Sequence, residues 1–272
     1  MSCSIIHANW LVAWRRRFVA GAIRACEWLY GSYVWLLFCM LMLLYVPTIL
    51  LLQQPSRTRS VARAGARLFF RLAGMRLATI GLDRLPASQH ILLVNHTSFL
   101  DGLALLALLP ARPGYAFVVR QQFRSQQLLC PLLHSLGVVV LTPWRAGSHT
   151  GNTARIALGL KYGENLIVFP EAGILAEPGL QCFHSGAFVA AAHIAIPLVL
   201  GGLRGTRQAL RLYSWLPHRT AITLEIGASL LLRSHRPADI AAAVQAAQEA
   251  MVPLTGESVA GGSQLNDSAI CG

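Results

Sequence analysis

The sequence predicts an α/β domain with a mixed, largely parallel sheet flanked by helices, preceded by an N-terminal membrane-associated helical segment. After about residue 75, short continuous apolar runs alternate with stretches of helical periodicity, which is typical of parallel strands buried on both faces. Before that point lies a long apolar segment without charge. The predicted strands are Leu77–Gly81, Ile91–Val94, Ala116–Val119, Val138–Leu141, Leu166–Phe169, Pro197–Gly201 and Ile222–Ile226. The predicted helices are Phe99–Leu109, Ser125–Ser135, Thr153–Tyr162, Gly186–Ala192 and Ala238–Met251.

These patterns divide the chain into three parts. Residues 1–74 are expected to form a membrane anchor with a cationic amphipathic helix, and residues 75–255 to form the α/β domain. Residues 256–272 are rich in Gly, Ser and Asn, so we expect a disordered tail.

The anchor is predicted from a segment without charge between Trp28 and Ser56. Within it, Tyr33–Leu52 is a nearly unbroken apolar run of 20 residues, and a helix of that length reaches about 30 Å, the thickness of the hydrocarbon core of a bilayer. Pro47 interrupts the run, so a kinked span and a re-entrant helical hairpin both fit. Arginines flank the run on both sides, so counting charges does not decide its orientation.

A cationic helix is predicted to follow the anchor. Arg59, Arg63, Arg67 and Arg71 recur every four residues and would lie along one side of a helix. The other side would carry Val61, Leu68, Phe69 and Leu72. Such a helix is expected to lie in the membrane interface among lipid phosphates. The alternative is an ordinary surface helix packed on the domain.

The composition favours lipid as the partner. The chain of 272 residues is 54% hydrophobic and only 12% charged, and its formal net charge is +12. A basic balance suits nucleic acid, anionic lipid or an acidic protein, and the high apolar content favours lipid and argues against nucleic acid. The six cysteines are scattered without metal-like spacing, so we expect reduced thiols, no metal site and a cytoplasmic catalytic domain.

The candidate catalytic residues follow the predicted strand Ile91–Val94. Thr97 or Ser98 is a plausible N-cap for the next helix. His96 and Asp101 lie on different faces of a continuous helix, so they can meet only if His96 belongs to the turn before the helix. A carboxylate bonded to one imidazole nitrogen makes the other a general base. The pair alone is weak, because a histidine five residues before an aspartate also arises by chance.

Several motifs accompany this pair in order. Asn95–His96 through Asp101 resembles the first motif of the glycerolipid acyltransferase family, of the 1-acylglycerol-3-phosphate O-acyltransferase type. Further stretches resemble later parts of the family pattern: Phe117–Arg120, Gly137–Leu141, Phe169–Glu171, Phe183–Phe188 and Ile196–Val199. The resemblance covers roughly residues 75–230, and the ordered set is more specific than any one motif.

The resemblance implies an acyltransferase that moves a fatty acyl group from acyl-CoA or acyl carrier protein to a lysolipid hydroxyl. The first acceptor expected is 1-acylglycerol-3-phosphate, and no cofactor or metal is needed beyond the acyl donor. His96 and Asp101 would be the catalytic residues, and the expected location is a membrane, with the catalytic domain on its cytoplasmic side (the inner membrane in a bacterium). The implied substrate-binding residues are Asn95, Arg120, Arg145, Glu171 and Gly173.

The sequence departs from the family pattern in two motifs. The second motif normally closes with an acid and an arginine, where this chain has Thr142 and Pro143, with Arg145 two residues late. After the glutamate of the third motif the family has Gly, Thr and Arg, where this chain has Ala172, Gly173 and Ile174.

These departures leave two alternatives open. One is an O-acyltransferase for another lysolipid, such as a lyso-aminolipid of the lyso-ornithine type. The other is a catalytically silent membrane protein that binds lipid. Other catalytic classes are disfavoured, since the chain has no GxSxG, HExxH or GxxxxGK[ST] motif.

Overall fold

The structure is a computed structural model that describes residues 2–52, 54–112, 114–120, 135–141, 155–156, 159–160, 165–171, 173–175 and 177–260. Its helices are α1 (Ser2–Leu51), α2 (Pro55–Leu72), α3 (Asp101–Leu108), α4 (Gly186–Ile194), α5 (Thr206–Ala209) and α6 (Pro237–Thr255). Its strands are β1 (Arg76–Ile80), β2 (Ile91–Val94), β3 (Tyr115–Arg120), β4 (Val139–Leu141), β5 (Asn165–Val168), β6 (Leu198–Arg204) and β7 (Ala221–Leu230). A short 3₁₀ turn, Leu82–Arg84, follows β1.

The N-terminal segment is an antiparallel helical hairpin. Helix α1 runs without interruption through Pro47 to Leu51. The chain then reverses into α2, and the Tyr30 and Tyr33 hydroxyls of α1 donate to the Ala73 and Leu72 carbonyls at the end of α2. Of the helices described, α1 is the one long and apolar enough to cross a membrane. The hairpin therefore comes from α1 and α2 together and not from a break at Pro47.

The arginines of α2 do not form one exposed stripe. Arg59 is buried, and its Nη1 donates to the Leu136 carbonyl at 3.3 Å. Arg63 is half-buried, and burial lowers the pKa of both guanidinium groups. Arg67 and Arg71 are exposed. The first half of the predicted stripe faces inward because α2 packs against α1 on one side and α3 on another.

The seven strands form one sheet in the order β1-β7-β6-β2-β5-β3-β4. All neighbouring pairs are parallel except β6 and β7, which are antiparallel. The predicted mixed, largely parallel α/β fold is therefore confirmed. Strand β2 lies between β6 and β5 and is completely buried. Because β2, β5 and β6 are parallel, the segments that follow them meet at the carboxyl ends of these strands.

Helices cover both faces of the sheet. The core on one face includes Phe70 of α2, Leu105 of α3 and Leu92 of β2. The core on the other face includes Phe188 of α4, Met251 of α6 and Leu93 of β2. Successive β2 side chains enter opposite cores, as the two-residue period of a strand requires. This two-sided burial explains why β2 reads as a continuous apolar run.

The predicted element boundaries agree closely with the structure where both can be compared. All seven predicted strands are present, and α3, α4 and α6 correspond to predicted helices. Helix α5 was not predicted from the sequence. Of the predicted helix at 125–135 only residue 135 is described, and of the one at 153–162 only residues 155–156 and 159–160 are described; these five residues are helical. At the C-terminus, Ala260 N–H donates to the Leu180 carbonyl at 2.8 Å, so the domain extends to Ala260, into the predicted tail.

Candidate active site

The candidate active site begins where β2 ends. Asn95 is buried, its Nδ2 donates to the Leu203 carbonyl at 2.9 Å, and Leu203 N–H donates to its Oδ1 at 2.7 Å. Both polar ends of the amide are therefore used to tie the end of β2 to β6. This linkage fixes the backbone from which His96 projects.

His96 and Asp101 meet in the turn between β2 and α3. His96 Nδ1 donates to Asp101 Oδ2 at 2.9 Å, and the aspartate is completely buried whereas the histidine is 23% exposed. The geometry satisfies the condition set by their spacing, because α3 begins only at Asp101 and His96 lies in the preceding turn. With Nδ1 bound to the carboxylate, Nε2 is left for a substrate, and no described residue bonds to it.

The same carboxylate oxygen organises the turn. Asp101 Oδ2 also accepts the N–H groups of Thr97 at 2.7 Å and Ser98 at 2.9 Å. Helix α3 begins slightly later than the predicted N-cap at Thr97 or Ser98 implies, with Leu100 as its N-cap residue, but Ser98 Oγ still accepts the Leu100 N–H at 3.2 Å. The Asp101 carboxylate shares this role by accepting the N–H groups of the chain before it.

The Glu171 carboxylate binds the backbone of the catalytic histidine. Its Oε1 accepts the N–H of His96 at 2.7 Å, and its Oε2 accepts the N–H of Gln181 at 2.9 Å. Burial raises the pKa of the Glu171 carboxyl to about 7, and the two backbone hydrogen bonds oppose that rise. Glu171 therefore joins the loop after β5 to the catalytic turn.

Phe169 packs against one face of the imidazole. The two rings are stacked, with centroids 4.2 Å apart and planes 19° apart. Together with the Asp101 hydrogen bond, the stack restricts rotation of the ring. Phe169 was not predicted as a site residue, although its place at the end of a predicted strand, directly before Pro170 and Glu171, was a usable signal.

The segment after β6 packs against the catalytic turn. The hydroxyls of Thr97 and Thr206 are 3.1 Å apart, and Ser98 Oγ donates to the Leu210 carbonyl at 2.8 Å. The chain turns at Gly205, where φ is 91° and a Cβ would lie 2.0 Å from the Ala221 carbonyl oxygen. Only glycine fits this turn, and the turn brings α5 against the catalytic residues.

This arrangement can activate a hydroxyl group. It holds a histidine with one nitrogen fixed by a buried carboxylate and the other available at the carboxyl edge of a parallel sheet. A family model described as "Acyltransferase" matches residues 76–199, which contain His96, Asp101, Phe169 and Glu171.

The chain carries a domain of the acyltransferase family.

A curated protein and a solved structure are similar to this chain. A chloroplastic 1-acyl-sn-glycerol-3-phosphate acyltransferase of Brassica napus is 30% identical over 132 residues. That match covers 48% of this chain and 38% of the length of the relative. The crystal structure of the 1-acyl-sn-glycerophosphate (LPA) acyltransferase PlsC from Thermotoga maritima is 16% identical with a TM-score of 0.64, and the similarity covers 84% of this chain and 94% of that one. The glycerolipid acyltransferase resemblance inferred from the sequence is thereby confirmed, and the structural likeness confirms the fold.

The predicted substrate-binding residues of the acyltransferase domain differ in burial and in hydrogen-bond partners. Asn95 and Glu171 are buried and bonded to backbone, so their visible role is to position the turn and not to line a binding surface. Gly173 leaves open space where a side chain would be, and its carbonyl accepts from Gln181 Nε2 at 3.0 Å. Arg120 ends β3 at the same edge of the sheet, but its side chain lies outside the described residues. Arg145 lies outside them altogether.

The buried Glu171 gives the acyltransferase domain a testable pH dependence. Its pKa in the folded protein, about 7, lies above the ordinary 4.5, so the folded chain keeps a proton that the unfolded chain has lost. The stability contributed by this group is present below about pH 4.5 and is lost as the pH rises to about 7. We expect wild type to lose about 3 kcal/mol relative to Glu171→Gln over this window.

At pH 8 the turnover of Glu171→Gln should be lower than that of the wild type. Glutamine offers one acceptor oxygen where Glu171 offers two, so one N–H loses its partner and the turn shifts, lowering turnover by about 10- to 100-fold. Unfolding curves and turnover measured from pH 4.5 to 8 test both effects. Glu177→Gln is the matched control, since Glu177 is exposed in the same loop. A stability difference independent of pH would contradict the raised pKa.

Proposed function

We propose that this protein is an O-acyltransferase that moves a fatty acyl group from a thioester to a lysolipid hydroxyl, with 1-acylglycerol-3-phosphate as the first acceptor expected. The observation that carries the proposal is the 2.9 Å hydrogen bond from His96 Nδ1 to the buried Asp101, which leaves Nε2 available. A lipid-binding protein without activity has no need of that arrangement. The acyl donor is acyl-CoA or acyl carrier protein, both of which are acidic and suit a chain of net charge +12.

The reaction needs no enzyme nucleophile. Nε2 of neutral His96 accepts the proton of the acceptor hydroxyl while the oxygen bonds to the thioester carbonyl carbon. When the tetrahedral intermediate collapses, the carbon–sulfur bond breaks and the imidazolium returns its proton to the departing thiolate. Asp101 stabilises the imidazolium between these steps. The products are an ester and a free thiol, so every proton is accounted for.

The backbone around the histidine is committed to holding this pair. The N–H of His96 donates to Glu171, and those of Thr97 and Ser98 donate to Asp101. Donors for the oxyanion of the intermediate therefore come from groups other than these.

The helical hairpin supports attachment to a membrane. The part of α1 that packs against α2 lies beside the catalytic domain, and its opposite face is apolar and exposed, with Leu29, Leu36, Leu43 and Leu44 among its residues. A helix held against a domain in this way can bury its free face in one leaflet without crossing both. We favour this in-plane attachment over a simple span, with the catalytic domain on the cytoplasmic side.

Exposed aromatic residues lie beside α1 and also on the catalytic turn. Trp35 of α1 donates to the Trp215 carbonyl at 2.7 Å, and both Tyr213 and Trp215 are exposed. Phe99, three residues after the catalytic histidine, is 71% exposed. Aromatic side chains of this kind favour the lipid headgroup region, so the site would open toward the surface that carries the acceptor.

One assay tests the proposed function. Purified full-length protein is incubated with labelled acyl-CoA or acyl carrier protein and a panel of lysolipids with phosphomonoester, zwitterionic and amino-acid headgroups. We expect ester formation that requires a thioester donor. Absence of transfer with every pair of substrates would favour the lipid-binding alternative, and transfer only to an amino-acid lysolipid would favour the lyso-ornithine type.

Acceptor selectivity should depend on Ile174, which is half-buried at a position where the family pattern has arginine. An apolar side chain cannot pair with a dianionic phosphate, so we expect weaker discrimination for a phosphomonoester than in a chain with that arginine. Ile174→Arg should shift preference toward lysophosphatidate by about tenfold, the effect of one charge-assisted contact. Leu175→Arg adds the same charge one residue away as the control. An unchanged preference in Ile174→Arg would show that this departure does not control selectivity.

A further inference from the structure

A second concave surface lies between α2 and the edge strand β1. This cleft has a volume of about 860 Å³, and the end of α3 closes one side of it. Four arginines line it: Arg63, Arg67, Arg71 and Arg76. Its apolar lining includes Phe70, Leu77, Leu82 and Leu108. The cleft thus combines concentrated positive charge with hydrocarbon.

The four charges have no counter-charge within the cleft. Its lining includes no aspartate or glutamate, and within the described part of the chain the structure records no ion pair or side-chain hydrogen bond for these four residues. Arg63 Nε is buried without a hydrogen-bond partner among the described atoms. Burial, and then the charge of Arg67, lower the pKa of the Arg63 guanidinium. Like charges gathered beside a partly buried cation are unfavourable without an anion.

The cleft is separate from the catalytic site. Helix α3 begins at Asp101 beside His96, and it contributes only Ala107 and Leu108 to the cleft. Those residues are about 9–10 Å along the helix axis from Asp101. None of the residues that hold the catalytic histidine lines the cleft, so its arginines are a group separate from the catalytic residues.

We propose that this cleft binds an anionic phospholipid of the membrane, with its phosphate between the arginines and the adjoining part of its acyl chains on the apolar lining. Arginine forms bidentate contacts with phosphate, and the partly exposed Leu77 and Leu82 suit acyl chains better than the sugar and base of a nucleotide. The other flank of α2 packs on α1, whose apolar face is free. Helix α2 therefore belongs both to the cleft and to the hairpin proposed to meet the bilayer.

Binding can be measured without acyl donor or acceptor, so the test does not depend on the proposed enzymatic activity. Full-length protein in a neutral detergent is titrated with phosphatidylglycerol while its thermal unfolding is followed, because a ligand of the folded state raises the transition temperature. Parallel titrations use phosphatidylcholine, which has no net charge, and glycerol 3-phosphate, which carries a phosphate without acyl chains.

The main variant is Arg67→Gln/Arg71→Gln, since both side chains are exposed and their loss leaves the core intact. Arg57→Gln/Arg233→Gln is the matched control, because it removes the same charge from exposed arginines outside the cleft. Arg76→Gln is a second variant on a different element, and it keeps the test valid if the double variant fails to fold.

We expect phosphatidylglycerol to stabilise the wild type and phosphatidylcholine and glycerol 3-phosphate not to do so. The double variant should raise the apparent dissociation constant for phosphatidylglycerol at least about tenfold, Arg76→Gln should raise it several-fold, and the control should stay within about twofold. An equal loss in the control would overturn the proposal in favour of unspecific attraction. Equal stabilisation by glycerol 3-phosphate would overturn it in favour of a soluble phosphate ligand.

Discussion

His96→Ala is expected to lower acyl transfer by about 10²- to 10⁴-fold, the usual contribution of a general base. The imidazole is the one titratable group among the described residues that combines a buried carboxylate partner with a ring nitrogen left open, through the 2.9 Å bond to Asp101. Its removal leaves the acceptor hydroxyl without a proton acceptor. Turnover under saturating donor and acceptor is the measurement.

His96→Ala should lower only the rate of acyl transfer. Membrane association should persist, since the α1–α2 hairpin is untouched, and the backbone hydrogen bond from residue 96 to Glu171 does not depend on the side chain. His235→Ala, which removes an exposed histidine outside the site, is the control. Near-normal turnover by His96→Ala would eliminate the proposed mechanism.

Asp101→Asn is expected to lower turnover by about 10²- to 10⁴-fold while the fold is kept. In the structure Asp101 Oδ2 accepts three hydrogen bonds, and Oδ1 is buried with no described partner. An asparagine can place its oxygen at the first position and its amide nitrogen at the second. The turn then keeps its hydrogen bonds, but the charge that stabilises the imidazolium is lost.

This variant therefore separates charge from geometry. The buried amide nitrogen without a partner should lower stability by about 1–3 kcal/mol, which an unfolding curve measures alongside turnover. A kcat close to that of the wild type would show that the carboxylate only shapes the turn. If Asp101→Asn does not fold, the Asp101 carboxylate is required for folding and not specifically for the reaction.

The motif residues divide into two groups once their surroundings are known. His96 keeps a ring nitrogen available, whereas the Asn95 amide and the Glu171 carboxylate are used up on backbone groups of Leu203, His96 and Gln181. The sequence resemblance treats all of them as site residues. Hydrogen-bond partners decide which of them can touch a substrate, and those partners come from distant parts of the chain.

The sequence by itself determined the elements of the sheet. The central strands β2, β5 and β6 are short, mostly apolar runs that reflect burial on both faces, and this local signal survives without any knowledge of the neighbouring strands. Strand β1 at the edge of the sheet is mostly exposed, and β7 is buried at alternate residues, so their signals are weaker. The spacing of His96 and Asp101, after the buried run Ile91–Val94, also set the condition for their contact: a turn before the helix. In each case the determining interactions lie within a few residues along the chain.

Only the tertiary structure decided how these elements combine. Three contacts join residues far apart in sequence. They are the antiparallel pairing of β6 with β7, the hydrogen bond of the buried Arg59 side chain to the Leu136 carbonyl, and the hydrogen bond of the His96 N–H to Glu171. The sequence shows that an arginine is charged or that a glutamate follows a proline. Whether either side chain is buried depends on which elements pack against it. The Arg59 side chain is buried because α2 lies between α1 and α3, and the Glu171 carboxyl has a raised pKa because folding removes it from water.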